Sequence, residues 1–319
     1  MSSRAPYLEK PIKAPRPIGA QHHLSSGYPF QAARARGPEM TTVATFPSAE
    51  EVAKTDAFPT TLWRLEPHRE GELPVAAGRG GPFKIHWEVH GEGDIKLIRH
   101  GSFRQAVDAW EAEFAYAAPH RIASLNLICT AAAIENTTSF SENMINRVTM
   151  LLPKSLDRTI TYTASNVFPA DWLEAPDDAV VPDETVSRCS APEGGWPYRR
   201  FGSNYARFAA QEITKQRDLK GFTRQGFLLQ MIAAGWHHKS AAQLREIGDK
   251  VGRERILVIH GTADKVISIP HGRKLIEYLQ PGKSYIVDEM GHAPIVERTQ
   301  WFNELLTEMC TTGEQLSGR

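Results

Sequence analysis

Residues 255–273, RILVIHGTADKVISIPHGR, and residues 284–297, SYIVDEMGHAPIVE, carry the pattern on which the fold turns. Ile256-Leu257-Val258-Ile259 is an unbroken apolar run, too short and too β-branched for a helix, which predicts a strand buried on both faces. The run stops at His260-Gly261-Thr262-Ala263-Asp264, a tight turn, and helical spacing follows from His271 to Leu279. Pro281-Gly282 breaks that helix, Lys283 to Val287 reads as a second strand, Glu289-Met290-Gly291-His292 turns again, and a closing helix runs from about Glu297 to Cys310. Upstream, Ser240 sits where an N-cap belongs, before a helix reaching about Lys250. Strand and helix alternate, which predicts a parallel sheet covered by helices.

Farther toward the amino terminus, Phe83, Ile85, Trp87 and Val89 alternate with polar residues, the period of a half-buried strand. A turn over Gly91 to Asp94 leads to the short apolar run Ile95-Lys96-Leu97-Ile98, and together the segments read as a hairpin followed by a buried strand. A helix over Arg104 to Tyr116 ends at Pro119, and IASLNLICTA from Ile122 to Ala131 predicts another compact strand. Residues 135–239 change character. Helices are expected over Asn143–Leu152, Thr159–Asn166, Asn204–Lys215 and Phe222–Ala234, joined by loops rich in Pro, Asp and Gly. The Trp-rich stretch from 172 to 236 suits either an apolar pocket lining or a packed core.

The first 39 residues hold six prolines and no sustained period, so residues 1–81 are expected to be a disordered extension, with order starting near residue 82. Basic side chains outnumber acidic ones in those 39 residues, as in an organelle transit peptide, but the prolines oppose the amphipathic helix such a peptide needs. A cytoplasmic location is therefore expected, with mitochondrial targeting as the alternative, and Met40 is a second candidate start. Over all 319 residues, 37 Lys plus Arg balance 37 Asp plus Glu, which excludes a nucleic-acid binder working by phosphate neutralisation. No apolar run reaches the roughly 18 residues of a membrane span. Cys129, Cys189 and Cys310 are widely separated and odd in number, so they read as scattered thiols, neither a disulfide framework nor a metal knuckle. No nucleotide or metal motif is present, and neither cofactor nor metal is expected. The oligomeric state is not legible.

The segments 255–273 and 284–297 resemble the carboxyl-terminal part of an α/β-hydrolase, in which one strand ends in a turn bearing the catalytic acid and the next ends in a Gly-His bearing the base. The resemblance implies Asp264 as acid and His292 as base. KLIRHGSF, from Lys96 to Phe103, resembles the strand and His-Gly turn that begin the family's oxyanion loop, which nominates His100, Gly101 and Phe103 for the oxyanion hole and pocket. The implied architecture is α/β, with residues 82–134 and 240–319 forming a mostly parallel hydrolase-like core and 135–239 a helical cap. The implied substrate is a small apolar or ester-type molecule.

The chemistry gives these residue types their sense. A hydroxyl is inert at neutral pH until an imidazole takes its proton, and a buried carboxylate fixes the imidazole's tautomer. Read singly, Asp264 is a turn residue or helix cap and His292 a loop histidine; placed after adjacent parallel strands, both fall at one carboxyl edge. The third member is missing. The family's nucleophile occupies a Gly-x-Ser-x-Gly elbow, yet Ser25-Ser26-Gly27 is the only Ser, Cys or Asp followed two residues later by Gly, and it lies in the extension. Only eleven residues separate Phe103 from Ala115, where the family places two strands and their helices, about 50 to 70 residues. Ser102, after a strand and a His-Gly turn, is the remaining candidate nucleophile. A truncated sheet of about four to six strands is expected. Two readings stay open: a hydrolase impaired by loss of its elbow, and an inactive remnant, as a binding module or a splice or gene-model variant.

Overall fold

The computed structural model describes residues 46–75, 77–78, 81–94, 115–135, 155–218, 226, 232 and 236–318. In chain order the described elements begin with helix α1 (Ala49–Ala53) and strands β1 (Arg64–Leu65), β2 (Arg69–Val75), β3 (Phe83–Val89) and β4 (Leu125–Ile128). Helices α2 (Leu156–Val167) and α3 (Ala170–Glu174), strand β5 (Cys189–Ser190) and helix α4 (Asn204–Arg217) follow. The carboxyl-terminal part runs α5 (Ala241–Val251), β6 (Ile256–Gly261), α6 (Ile269–Leu279), β7 (Lys283–Val287), α7 (Pro294–Glu297) and α8 (Thr299–Leu316).

The centre is a three-stranded parallel sheet in the order β4-β6-β7. Leu125 aligns with Ile256 and Leu257 with Lys283, so all three strands deliver their carboxyl ends to the same edge. Every residue of β6 is buried. Its alternate side chains explain why: Ile256 and Val258 pack with Leu244, Ile247, Leu275 and Leu279 of α5 and α6, while Leu257 and Ile259 pack with Phe302, Leu305 and Met309 of α8. A strand covered on both faces must be apolar on both, which is why ILVI shows no alternation. The α5 start is fixed as the sequence requires, with Ser240 accepting from the Gln243 N–H and the Gln243 side chain returning to the Ser240 N–H.

A second core joins α2, α3 and α4 through Ile160, Ala164, Phe168, Leu173, Tyr205, Phe208 and Ile213. Trp172 stacks on Phe168 at 4.3 Å between ring centroids, so this part of the Trp-rich stretch is core packing. Helices α2 and α4 lie where the sequence puts them. The helices expected at 143–152 and 222–234, and the strand expected at 95–98, lie outside the described residues, apart from single positions in the second helix.

Two expectations need correction. First, the chain is already structured at residue 46, well before the expected onset near 82. Ser48 closes a capping box with Glu51 at the start of α1, Val52 and Ala57 enter the core that joins α2, α3 and α4, and the Phe46 ring stacks on Tyr205 at 4.0 Å. The tertiary contacts of a five-residue helix leave no lasting period in the sequence. Second, β3 pairs antiparallel with the upstream β2, a segment the sequence does not read as a strand, with Arg69 opposite Val89 and Val75 opposite Phe83. Its face is not half-buried either: Ile85 is 51% and Trp87 41% exposed, the indole lying over Gly71 on β2, where an added Cβ would meet its Cζ2 at 2.8 Å. The pleat alternates as expected, but no layer of the described residues covers it. Among the described residues the parallel sheet has three strands, and β2–β3 and β1–β5 are separate antiparallel pairs; the strand expected at 95–98 lies outside those residues.

Candidate active site

Asp264 follows β6 and His292 follows β7, so parallel pairing brings the two loops together. Thr262 N–H donates to Val287 O at 3.0 Å and Ala263 N–H to Met290 O at 3.0 Å. The approach is close enough that a Cβ on Gly261 would stand 2.0 Å from the Met290 carbonyl oxygen, so glycine is required there. Within this frame His292 Nδ1 lies 2.9 Å from Asp264 Oδ2. The other carboxylate oxygen, Oδ1, accepts the Val266 and Ile267 N–H groups at 2.8 and 2.9 Å. One oxygen of Asp264 thus serves the turn and the other the contact with His292. With Oδ2 as the acceptor, His292 carries its proton on Nδ1, the tautomer in which Nε2 is the basic nitrogen. The Asp264 side chain is fully buried and that of His292 14% exposed.

Helix α2 seats the pair. The last carbonyls of a helix lack intrahelical partners, and here Val167 O accepts the His292 N–H at 2.7 Å while Asn166 O accepts the Lys265 N–H at 3.3 Å. A Cβ on Gly291 would lie 2.3 Å from that same Val167 oxygen. The carboxyl end of α2 therefore grips the loops of both residues.

His260, the penultimate residue of β6, is fully buried. Its Nε2 donates to Ile267 O at 2.7 Å and lies 3.5 Å from Asp264 Oδ2. A carbonyl only accepts, so the proton sits on Nε2, and Nδ1 has no hydrogen-bond partner among the described residues. The ring fits because residue 272 is glycine: a Cβ there would stand 2.5 Å from His260 Nδ1. Burial holds the His260 imidazolium below the usual histidine range, against the opposing pull of Ile267 O and the Asp264 charge. A neutral His260 supports the acid loop without competing for the charge of Asp264.

Glu297 fastens the histidine loop from the other side, Oε2 accepting the Gly291 N–H at 2.8 Å. Burial pushes its carboxyl above the usual glutamate range, although that hydrogen bond and Arg298 pull it down. For a raised native pKa, the stabilising contribution is complete below the unfolded value of about 4.3 and is lost as pH rises through the native value. Glu297→Gln keeps an acceptor for Gly291 and removes the charge. Its melting temperature is expected to exceed the parent's at pH 7 and to match it near pH 4; a calorimetric gain of equal size at both pH values would refute this role.

The sequence treated Cys129 as a scattered thiol, and the structure does not. Cys129 is the first residue beyond β4; its N–H donates to Ile259 O at 2.8 Å, extending the ladder, and its backbone then turns into the left-handed region at φ 48°. For a residue other than glycine that geometry costs roughly 1–3 kcal/mol. It brings Sγ within 4.8 Å of ligand atoms of both Asp264 and His292, and within 3.6 Å of Gly291 O. No motif in one dimension marks this, because the proximity arises from the β4–β6 register. Ser102, His100, Gly101 and Phe103 lie outside the described residues.

The parallel strands and their covering helices define an α/β architecture, with the Asp–His contact at its carboxyl edge. By structure the chain is similar to the Mycobacterium tuberculosis protein Rv0554, with 14% identity and a TM-score of 0.43, over 64% of this chain and 62% of that one. It is also similar to a meta-cleavage product hydrolase from Pseudomonas fluorescens, with 15% identity and a TM-score of 0.39, over 63% and 60% of the two chains. A serine hydrolase involved in carbazole degradation aligns with 14% identity and a TM-score of 0.34, over 64% and 60%. This chain thus spans less than two thirds of the length of these three proteins. No protein-family model matches it, and no curated protein matches it by sequence. No described helix is long and apolar enough to cross a membrane.

Proposed function

We propose that the chain derives from hydrolases acting on a small ester or similar acyl substrate, and that it keeps their acid–base pair without their nucleophile. The observation that carries the reading is the 2.9 Å contact between His292 Nδ1 and Asp264 Oδ2, with Oδ1 saturated by two backbone N–H groups. That arrangement fixes the base's tautomer. Its natural task is to take a proton from a hydroxyl, and without a Gly-x-Ser-x-Gly elbow the hydroxyl left to it is water's. An acid–base pair acting alone on water contributes about 10²–10⁴-fold, far below a covalent mechanism with its oxyanion hole. Ester turnover is therefore weak.

A fluorophosphonate probe, which reports an activated serine, and a chromogenic short-chain ester test this together. The expected result is no labelling of the folded parent and slow ester turnover that falls to the buffer rate in His292→Ala. Labelling that disappears in His292→Ala would overturn the reading, because a serine would then be activated, and Ser102→Ala would show whether it is Ser102. A folded parent with neither labelling nor turnover would favour the second reading, an inactive remnant, which the missing segment between Phe103 and Ala115 supports.

A further inference from the structure

The buried cluster of Cys129, Asp264 and His292 supplies one sulfur, one oxygen and one nitrogen donor, mutually within 4.8 Å. We propose that these three side chains bind a soft divalent cation of the zinc type, and that metal binding and use of His292 as a base exclude one another.

The donor set argues for the class of ion. Thiolate, imidazole and carboxylate together suit zinc, cobalt or cadmium, whereas magnesium and calcium take oxygen ligands. The distances suit it as well. Zinc bonds of about 2.0–2.3 Å in a tetrahedron set neighbouring donors roughly 3.3–3.6 Å apart. Closing a triangle of sides no longer than 4.8 Å to that size takes small side-chain movements. Charge agrees too: Cys129 is 1% and Asp264 5% exposed, and a dication held by one thiolate, one carboxylate and a neutral imidazole leaves no net charge in a buried site. The donors sit in the segments that follow β4, β6 and β7, three hydrogen-bonded strands, and the loops of Asp264 and His292 are tied together by the Ala263 N–H to Met290 O bond.

Proton bookkeeping follows from the ligands. The thiol must lose its proton to bind, so one proton is released to solvent for each ion taken up. The imidazole contributes one lone pair. If the ion takes Nε2, the base atom itself is occupied. If it takes Nδ1, displacing the hydrogen bond to Asp264, the ring proton resides on Nε2, which then has no lone pair to offer. Either way the pair ceases to act on water. This exclusion rests on the acid–base reading above, while metal binding does not.

The test uses cobalt(II) added to the chelator-treated full chain. A thiolate ligand gives cobalt an intense near-ultraviolet charge-transfer band. The expected result is such a band saturating at one equivalent, displaced by zinc, absent in Cys129→Ser and retained in Cys189→Ser and Cys310→Ser. Asp264→Asn is expected to weaken cobalt binding at least ~10-fold while leaving a sulfur-derived band, which keeps the test decisive if Cys129→Ser fails to fold. The exposed Glu70, His86 and Glu88 on the β2–β3 pair also lie close enough to hold an ion, but they have no sulfur and cannot produce that band. No band in a folded parent, or a band that survives in Cys129→Ser, would overturn the proposal. Suppression of ester turnover by zinc is read separately. A spectroscopic site with no turnover to suppress would remove the acid–base reading and leave the metal site standing.

Discussion

Asp177→Ala is expected to lower the unfolding free energy by about 3–5 kcal/mol, the cost of stranding a buried charge whose partner has been removed. Arg207, on α4, reaches Asp177 with two hydrogen bonds, Nε to Oδ1 at 2.7 Å and an Nη to Oδ2 at 2.6 Å, and the side chains are 7% and 0% exposed. The carboxylate also accepts the Phe201 N–H at 2.8 Å and the Ala179 N–H at 3.1 Å. One acid therefore holds three pieces of chain: the irregular stretch after α3, the approach to α4, and α4 itself. Domains are stable by roughly 5–15 kcal/mol, so this single loss takes up a large share of that margin. Urea denaturation of Asp177→Ala measures it. Asp177→Asn, which retains one acceptor oxygen for the backbone, is expected to fall between parent and alanine variant. A loss under about 1 kcal/mol in Asp177→Ala would show that the pair contributes little and that the apolar cluster around Phe168 and Tyr205 holds this part of the chain alone.

Asp177 and Arg207 also mark the limit of what the sequence discloses. They are thirty residues apart, in a loop and a helix whose pairing no periodicity announces. By contrast, β6, α6, β7 and the closing helices were legible because each is set by short-range pattern: an apolar run bounded by His260-Gly261, a Pro281-Gly282 break, a period of three to four. Asp264 and His292 could be placed at one edge because parallel strands leave no other arrangement for residues that follow them. What escaped were features made by contacts between distant segments. The structured stretch from 46 to 75 holds its place through Val52, Ala57 and Phe46 docking on helices more than a hundred residues later. Cys129 approaches the Asp–His pair only because Leu125 pairs with Ile256 in that register. The exposed faces of Ile85 and Trp87 show the opposite failure, where alternation was read correctly and burial was inferred from it, although no layer of the described chain lies over them.

Asp264→Asn is expected to remove His292-dependent ester turnover as completely as His292→Ala does, while leaving the melting curve nearly in place. Asparagine offers its carbonyl oxygen to the Val266 and Ile267 N–H groups, which now donate to Oδ1 at 2.8 and 2.9 Å, so the turn after β6 keeps its hydrogen bonds. That orientation directs the amide NH₂ at His292 Nδ1, which must then accept instead of donate. The ring proton moves to Nε2, and the lone pair that took the substrate's or water's proton disappears. In complete triads this tautomer reversal costs about 10⁴-fold in kcat with geometry intact; starting from the weak water-directed turnover proposed above, the same reversal brings the rate to that of buffer. Rates measured across pH separate this from simple loss of a negative charge. If Asp264 acted only by electrostatic attraction for an imidazolium, the asparagine variant would keep a reduced rate that rises with pH as the ring deprotonates. With the wrong tautomer enforced, the rate stays at background at every pH where the chain is folded. Turnover in Asp264→Asn within about tenfold of the parent would show that His292 does not depend on this carboxylate, and the acid–base pair would then be a structural contact between two loops.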